Sequence, residues 1–157
     1  MGTLPGTGTL PMGTLMEGRR GLVMGVANDH SIAWGIARAL AANGAELAFT
    51  YQGEAFGRRV RPLAESLGSK LVLPCDVEDV ATVDEAFETL RAEWGGVDFL
   101  VHAIGFSDKS ELKGRYADVT TRANFSRTMV ISAFSFTEVA QRASRLMKPG
   151  GAMLTLT

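Results

Sequence analysis

Gly25-Val26-Ala27-Asn28-Asp29-His30-Ser31-Ile32-Ala33-Trp34-Gly35 decides how this chain is read. It opens at the end of an apolar run, residues 20–26, with Leu22, Val23, Met24 and Val26. It closes inside residues 31–43, where Ile32, Ile36, Ala39 and Leu40 recur at helical spacing. A strand therefore passes into a helix through a turn that begins on glycine and ends on serine. Gly25 permits a sharp backbone turn. Ser31 and the N–H groups beside it suit a pyrophosphate at a helix N-terminus. Gly35 is expected to let the helix lie close to a sheet. The plain G-x-G-x-x-G spacing is absent, and by spacing alone the same residues also fit an ordinary glycine turn with a serine N-cap.

Outward from this turn, apolar runs alternate with amphipathic segments. The pattern predicts further strands over 45–50, 70–74, 97–104 and 152–156, and helices over 54–67, 79–94 and 120–147. Gly44, Gly68, Gly95-Gly96 and Lys148-Pro149-Gly150-Gly151 stand at the helix ends. Strand and helix in strict alternation give an α/β fold, a doubly wound parallel sheet (Rossmann-like) with strand order 3-2-1-4-5. Strands covered on both faces read as apolar runs rather than alternating ones.

The 157 residues carry 16 Lys and Arg against 17 Asp and Glu, for a net charge of −1. No basic surplus points to nucleic acid or to an anionic membrane surface, and no apolar run approaches the roughly 18 residues of a membrane span. The single cysteine, Cys75, cannot form an internal disulfide, which suits a reducing cytoplasmic setting. Residues 1–16 repeat Gly-Thr-Leu from Gly2, Gly8 and Gly13 and read as a flexible leader, leaving 17–157 as the dinucleotide-binding domain.

The turn motif does not stand alone. Gly44 to Gln52, Cys75-Asp76-Val77, Val101 to Phe106 and Leu154 to Thr157 follow it in order, at compatible spacings. Together these segments resemble the bacterial enoyl-acyl-carrier-protein reductases, divergent short-chain dehydrogenases with a long first loop. The resemblance implies NADH (NAD) as cofactor, an enoyl thioester on acyl-carrier protein as substrate, and a homo-oligomer, a tetramer. It implies that Gly25, Ser31 and Ile32 meet the pyrophosphate and its ribose, and that Gln52 lies beside the adenosine ribose. It further implies that Asp76 and Val77 flank adenine, that Ile104, Gly105 and Ile131 line the cofactor, and that Ser107 lies in the substrate pocket. The family's catalytic tyrosine and lysine lie beyond the fifth strand, past Thr157. Tyr51 and Tyr116 match neither catalytic position, so no catalytic residue is carried over.

Each position also has a plainer reading. Arg58 and Arg59 could meet a 2′-phosphate, but as well form a solvated helix face. Asp76 could cap the next helix, and Ile131 could be core. His102, in an apolar strand, reads as a hydrogen-bonded core residue, Cys75 as buried core, and His30 as a loop residue. The two histidines form no metal-spaced cluster. A carbonyl-reducing short-chain dehydrogenase and a non-catalytic dinucleotide-binding fragment remain alternatives. The long 25–35 loop argues against the first, and the missing catalytic segment supports the second.

Overall fold

A computed structural model describes residues 13–156. Residues 1–12 of the expected leader and Thr157 lie outside the described residues. Five strands, β1 (Arg20–Met24), β2 (Glu46–Tyr51), β3 (Leu71–Pro74), β4 (Val97–His102) and β5 (Met147–Thr155), form one sheet in the order β3-β2-β1-β4-β5. Every pair is parallel. The connecting helices are α1 (Ile32–Ala42), α2 (Gly53–Ser66), α3 (Val80–Trp94), α4 (Tyr116–Val119), α5 (Arg122–Met129) and α6 (Ser135–Leu146).

The strands are apolar throughout because the side chains of each feed two cores. Leu22 and Met24 of β1 face one core and Val23 the other; in β2 Ala48 faces the first, and Leu47 and Phe49 the second. Val83, Phe87 and Leu90 of α3 and Val139, Ala143 and Leu146 of α6 cover the first face. Ala33, Trp34 and Ala37 of α1 and Val60 and Ala64 of α2 cover the second. One buried charge ties three strands: Asp98 accepts from the Arg20 N–H at 2.9 Å and from Arg19 Nη1 at 3.1 Å, with Lys148 Nζ at 3.5 Å. Burial pushes this carboxyl up, but those three donors outweigh it and hold its pKa below the ordinary value.

Several expectations are corrected. The helix expected over 120–147 begins at Arg122, where Thr121 Oγ1 accepts from the Asn124 N–H at 3.1 Å, and Val130–Phe134 form a π-helical turn between α5 and α6. β5 begins at Met147, not at residue 152. Met147 pairs with Val97, and the ladder resumes at Phe99 with Ala152, so the expected stop at 148–151 is a bulge inside the strand. Gly35 is exposed and a side chain there would meet only open space, so it is Ala33 and Ala37 that bring α1 against the sheet. Of the residues at helical spacing in α1, Ile32 and Ala39 are exposed rather than on the buried face. Gly13 and Met16, within the expected leader, donate to the Ala42 and Asn43 carbonyls at 2.7 and 2.8 Å.

Candidate functional site

A doubly wound sheet leaves a crevice where its crossovers part to opposite faces, at the C-terminal ends of the strands. Here that point lies between β1 and β4. Two adjoining clefts of about 230 and about 210 Å³ open there and share Gly25, Ala103, Ile104 and Gly105. All nine residues expected along the cofactor line one or both of them. Gln52, Asp76, Val77 and Ile131 stand in the larger, Ser31 and Ile32 in the smaller, and Gly25, Ile104 and Gly105 in both.

The glycines shape the floor. Gly25 has φ +100°, and a side chain built on it would overlap the Ala103 carbonyl, so β1 and β4 can close up only around glycine. At Gly105 a Cβ would stand in open space inside the cleft. The missing methyl there leaves room for a ligand against the backbone.

The helix start is open. Ser31 is the N-cap of α1, but its hydroxyl donates to the Asn28 carbonyl at 2.7 Å and makes no cap bond. Among the described residues the N–H groups of Ile32 and Ala33 have no acceptor, an arrangement that suits an anion. On the far side, Gln52 Nε2 donates to Asp76 Oδ2 at 3.1 Å, and Asp76 Oδ1 accepts from the Glu78 N–H at 2.9 Å. Asp76 therefore braces the β3–α3 turn; the cap of α3 is Asp79, which accepts from the Ala81 N–H at 3.1 Å.

Other expected positions fall elsewhere. Ser107 lines neither cleft; its Oγ accepts from Asn124 Nδ2 at 3.2 Å and lies 3.3 Å from Thr128 Oγ1. Cys75 is buried at the cleft wall, and burial, with Asp76 beside it, pushes its thiol up to about 12, so it is no nucleophile at neutral pH. His102 is fully buried, its ring bonded to Thr155 Oγ1 at 3.1 Å and Ser135 Oγ at 2.8 Å. Tyr51 accepts from Arg61 Nη2 at 2.7 Å, and Tyr116 is exposed on α4. Among the described residues no group of three or more His, Cys, Asp or Glu is placed to hold a metal ion.

Comparison with known proteins accounts for this arrangement. The sequence profile of the enoyl-(acyl carrier protein) reductases matches residues 25–157. The chain belongs to that family. It is 68% identical over 146 residues to the NADH enoyl-[acyl-carrier-protein] reductase 2 of Rhizobium meliloti (strain 1021), covering 93% of this chain and 54% of that protein. It is 60% identical over 143 residues to reductase 1 of the same strain, covering 91% and 52%. The crystal structure of the Anaplasma phagocytophilum enoyl-(acyl-carrier-protein) reductase in complex with NAD superimposes with a TM-score of 0.89 at 57% identity, over 94% of this chain and 56% of that one. The chain thus spans about half the length of the relatives it matches.

In this member of the enoyl-reductase family, sequence reasoning missed several wall residues. Thr50, Tyr51, Phe56, Glu78, Phe106 and Arg127 also line the larger cleft. Arg127 stands four residues before Ile131, so helical spacing alone puts it on the same wall. Arg58 and Arg59 line neither cleft, and Arg59 lies over the Phe56 ring at 5.8 Å.

Proposed function

We propose that this chain is the dinucleotide-binding part of an NADH-dependent reductase that reduces the trans-2 double bond of enoyl-acyl-carrier protein in fatty-acid biosynthesis. The observation that carries the reading is the convergence of nine expected cofactor positions on two joined clefts at the sheet's crevice. Family membership separates it from a carbonyl-reducing relative.

In this reading Gly25 and the α1 N-terminus take the pyrophosphate, Gln52 the adenosine ribose, and Asp76 and Val77 the adenine. Ile104, Gly105 and Ile131 line the rest of the cofactor, with Ser107 toward the substrate. The bonded Gln52–Asp76 pair fixes both side chains before binding. The Asp76 oxygens accept, which suits an exocyclic amine, and Val77 offers an apolar face. Bound there, NADH would supply the hydride for the β-carbon of the enoyl thioester. What this chain contributes is binding, orientation and a floor without side chains; a hydroxyl donor for the developing enolate is not among its assigned residues. The reading includes a cytoplasmic location and a homotetramer, the latter supported by the exposed apolar side chains Phe125 and Met129 of α5.

The test is oxidation of NADH by the complete protein with a trans-2-enoyl thioester, beside NADPH and a β-ketoacyl thioester. Enoyl-dependent oxidation of NADH is expected. Turnover of the β-ketoacyl thioester instead would make it a carbonyl reductase. NADH binding without turnover of either would leave a binding module.

A further inference from the structure

Three further side chains that line the larger cleft, Arg127, Glu78 and Phe106, contact one another. Arg127 donates from Nε to Glu78 Oε1 at 2.8 Å and from Nη2 to Glu78 Oε2 at 2.7 Å. Its guanidinium carbon lies 4.5 Å from the centre of the Phe106 ring. Phe106 is itself held, because its N–H donates to Ser132 Oγ at 3.0 Å and its carbonyl accepts from that hydroxyl at 3.2 Å. Arg127 stands on α5, and Phe106, in the loop after β4, is tied to the π turn through Ser132. Glu78 belongs to the opposite side, directly after Asp76-Val77 in the β3–α3 turn. The ion pair therefore crosses the cleft.

An exposed ion pair adds little to stability. This one has more structure than a chance contact: a two-pronged bond fixes the guanidinium plane, and an aromatic ring lies against it. Its third nitrogen, Nη1, has no acceptor among the described residues. A fixed planar cation with a spare donor edge, in the same cleft as Asp76 and Val77, suits an electron-rich heteroaromatic ring.

We propose that Arg127 contacts the adenine of the bound dinucleotide and that Glu78 is its positioning residue, the two forming a clasp over the purine end. This rests on the dinucleotide reading of the cleft. The clasp touches only the adenosine half, so its energetic effect is confined to ligands that carry that half.

The test is equilibrium titration of the complete protein with three probes: NADH, ADP-ribose and reduced nicotinamide mononucleotide. Arg127→Ala is expected to weaken NADH and ADP-ribose about tenfold, and to leave the mononucleotide and the melting temperature unchanged. KM for NADH rises while kcat holds. Arg127→Lys keeps the charge but not the plane and recovers only part of the loss. Glu78→Gln gives an intermediate loss. Unchanged ADP-ribose binding in Arg127→Ala overturns the clasp, as does an equal loss for the mononucleotide. Wild-type protein that binds no NADH overturns the cofactor reading itself, and so is told apart from failure of the clasp.

Discussion

At Gly25 backbone conformation and space both demand a hydrogen in place of a side chain. The residue has φ +100°, and a Cβ would overlap the Ala103 carbonyl of the neighbouring chain segment. Gly25→Ala is therefore expected to cost about 1–3 kcal/mol from backbone strain, plus whatever the displaced 103–105 segment loses. Urea denaturation reads the first, and NADH titration, expected to fail, reads the second. His102 makes a different demand. The Ser135 hydroxyl donates to the Ile131 carbonyl at 2.6 Å, so toward the ring it must accept, which puts the His102 proton on Nε2. Burial holds the pKa of His102 below its ordinary 6.5. The folded chain thus keeps the ring neutral, while the unfolded chain takes up a proton near 6.5. Stability is full above that value and declines as pH falls from it toward the lower folded pKa, by at most about 1.4 kcal/mol per pH unit. The lowered carboxyls Glu54, Glu78, Asp98, Asp108 and Glu111 lose their contribution only below ordinary values of 4.5 or 3.8, so the upper window belongs to His102. Denaturation curves from about pH 7 to about pH 5 should slope in the wild type and flatten in His102→Gln. At this scale the site was partly legible. A glycine that must be glycine and an aspartate at a strand end announce themselves. Arg127 is legible only through its spacing from Ile131, because by itself a helix-surface arginine looks the same whether it faces solvent or a cleft.

The strands were legible because burial on two faces leaves an unbroken apolar run, and β1, β2 and β4 lie where those runs are. The last helix was not. Its period carries no sign of the π turn at Val130–Phe134, which coincides with a buried hydrogen-bond chain from the β4 histidine through Ser135 to the Ile131 carbonyl. Such a turn depends on a partner from another element, which no local pattern contains. The start of β5 was hidden for the same reason. Pro149 and Gly150 look like a stop, but Met147 has already paired with Val97 before them. Ser135→Ala should test the chain. It leaves the His102 Nε2–H buried without an acceptor, at an expected cost of about 1–3 kcal/mol. Combined with His102→Leu in a double-mutant cycle, the two losses should fail to add by at least about 0.5 kcal/mol. Additive losses would mean that the π turn and the strand are fixed independently.

Among the described residues, several large apolar side chains are left exposed. Phe125, Met129, Val130 and Phe134 are 50%, 47%, 42% and 52% exposed, spaced so that α5 and the π turn present them together. β5, paired only with β4 among the described residues, carries Leu154 at 49% exposure on the sheet edge. Exposed apolar side chains clustered in this way mark association surfaces, and a strand edge unpaired among the described residues is a second, independent route to pairing. The two routes make different predictions. If the helical face holds the proposed oligomer together, Met129→Lys with Phe134→Asp should shift the sedimentation coefficient to a smaller species, because each charge would be buried without a partner in the contact. Neither residue lines the clefts, so NADH affinity should stay within about twofold, as expected for sites without shared partners. If the edge strand is responsible, Leu154→Lys should produce that shift and the helical pair should not, since a lysine on an edge blocks strand addition while leaving the helix face intact. A protein that sediments as a monomer before any substitution would remove the oligomer from the proposal and leave cofactor binding as a property of the single chain.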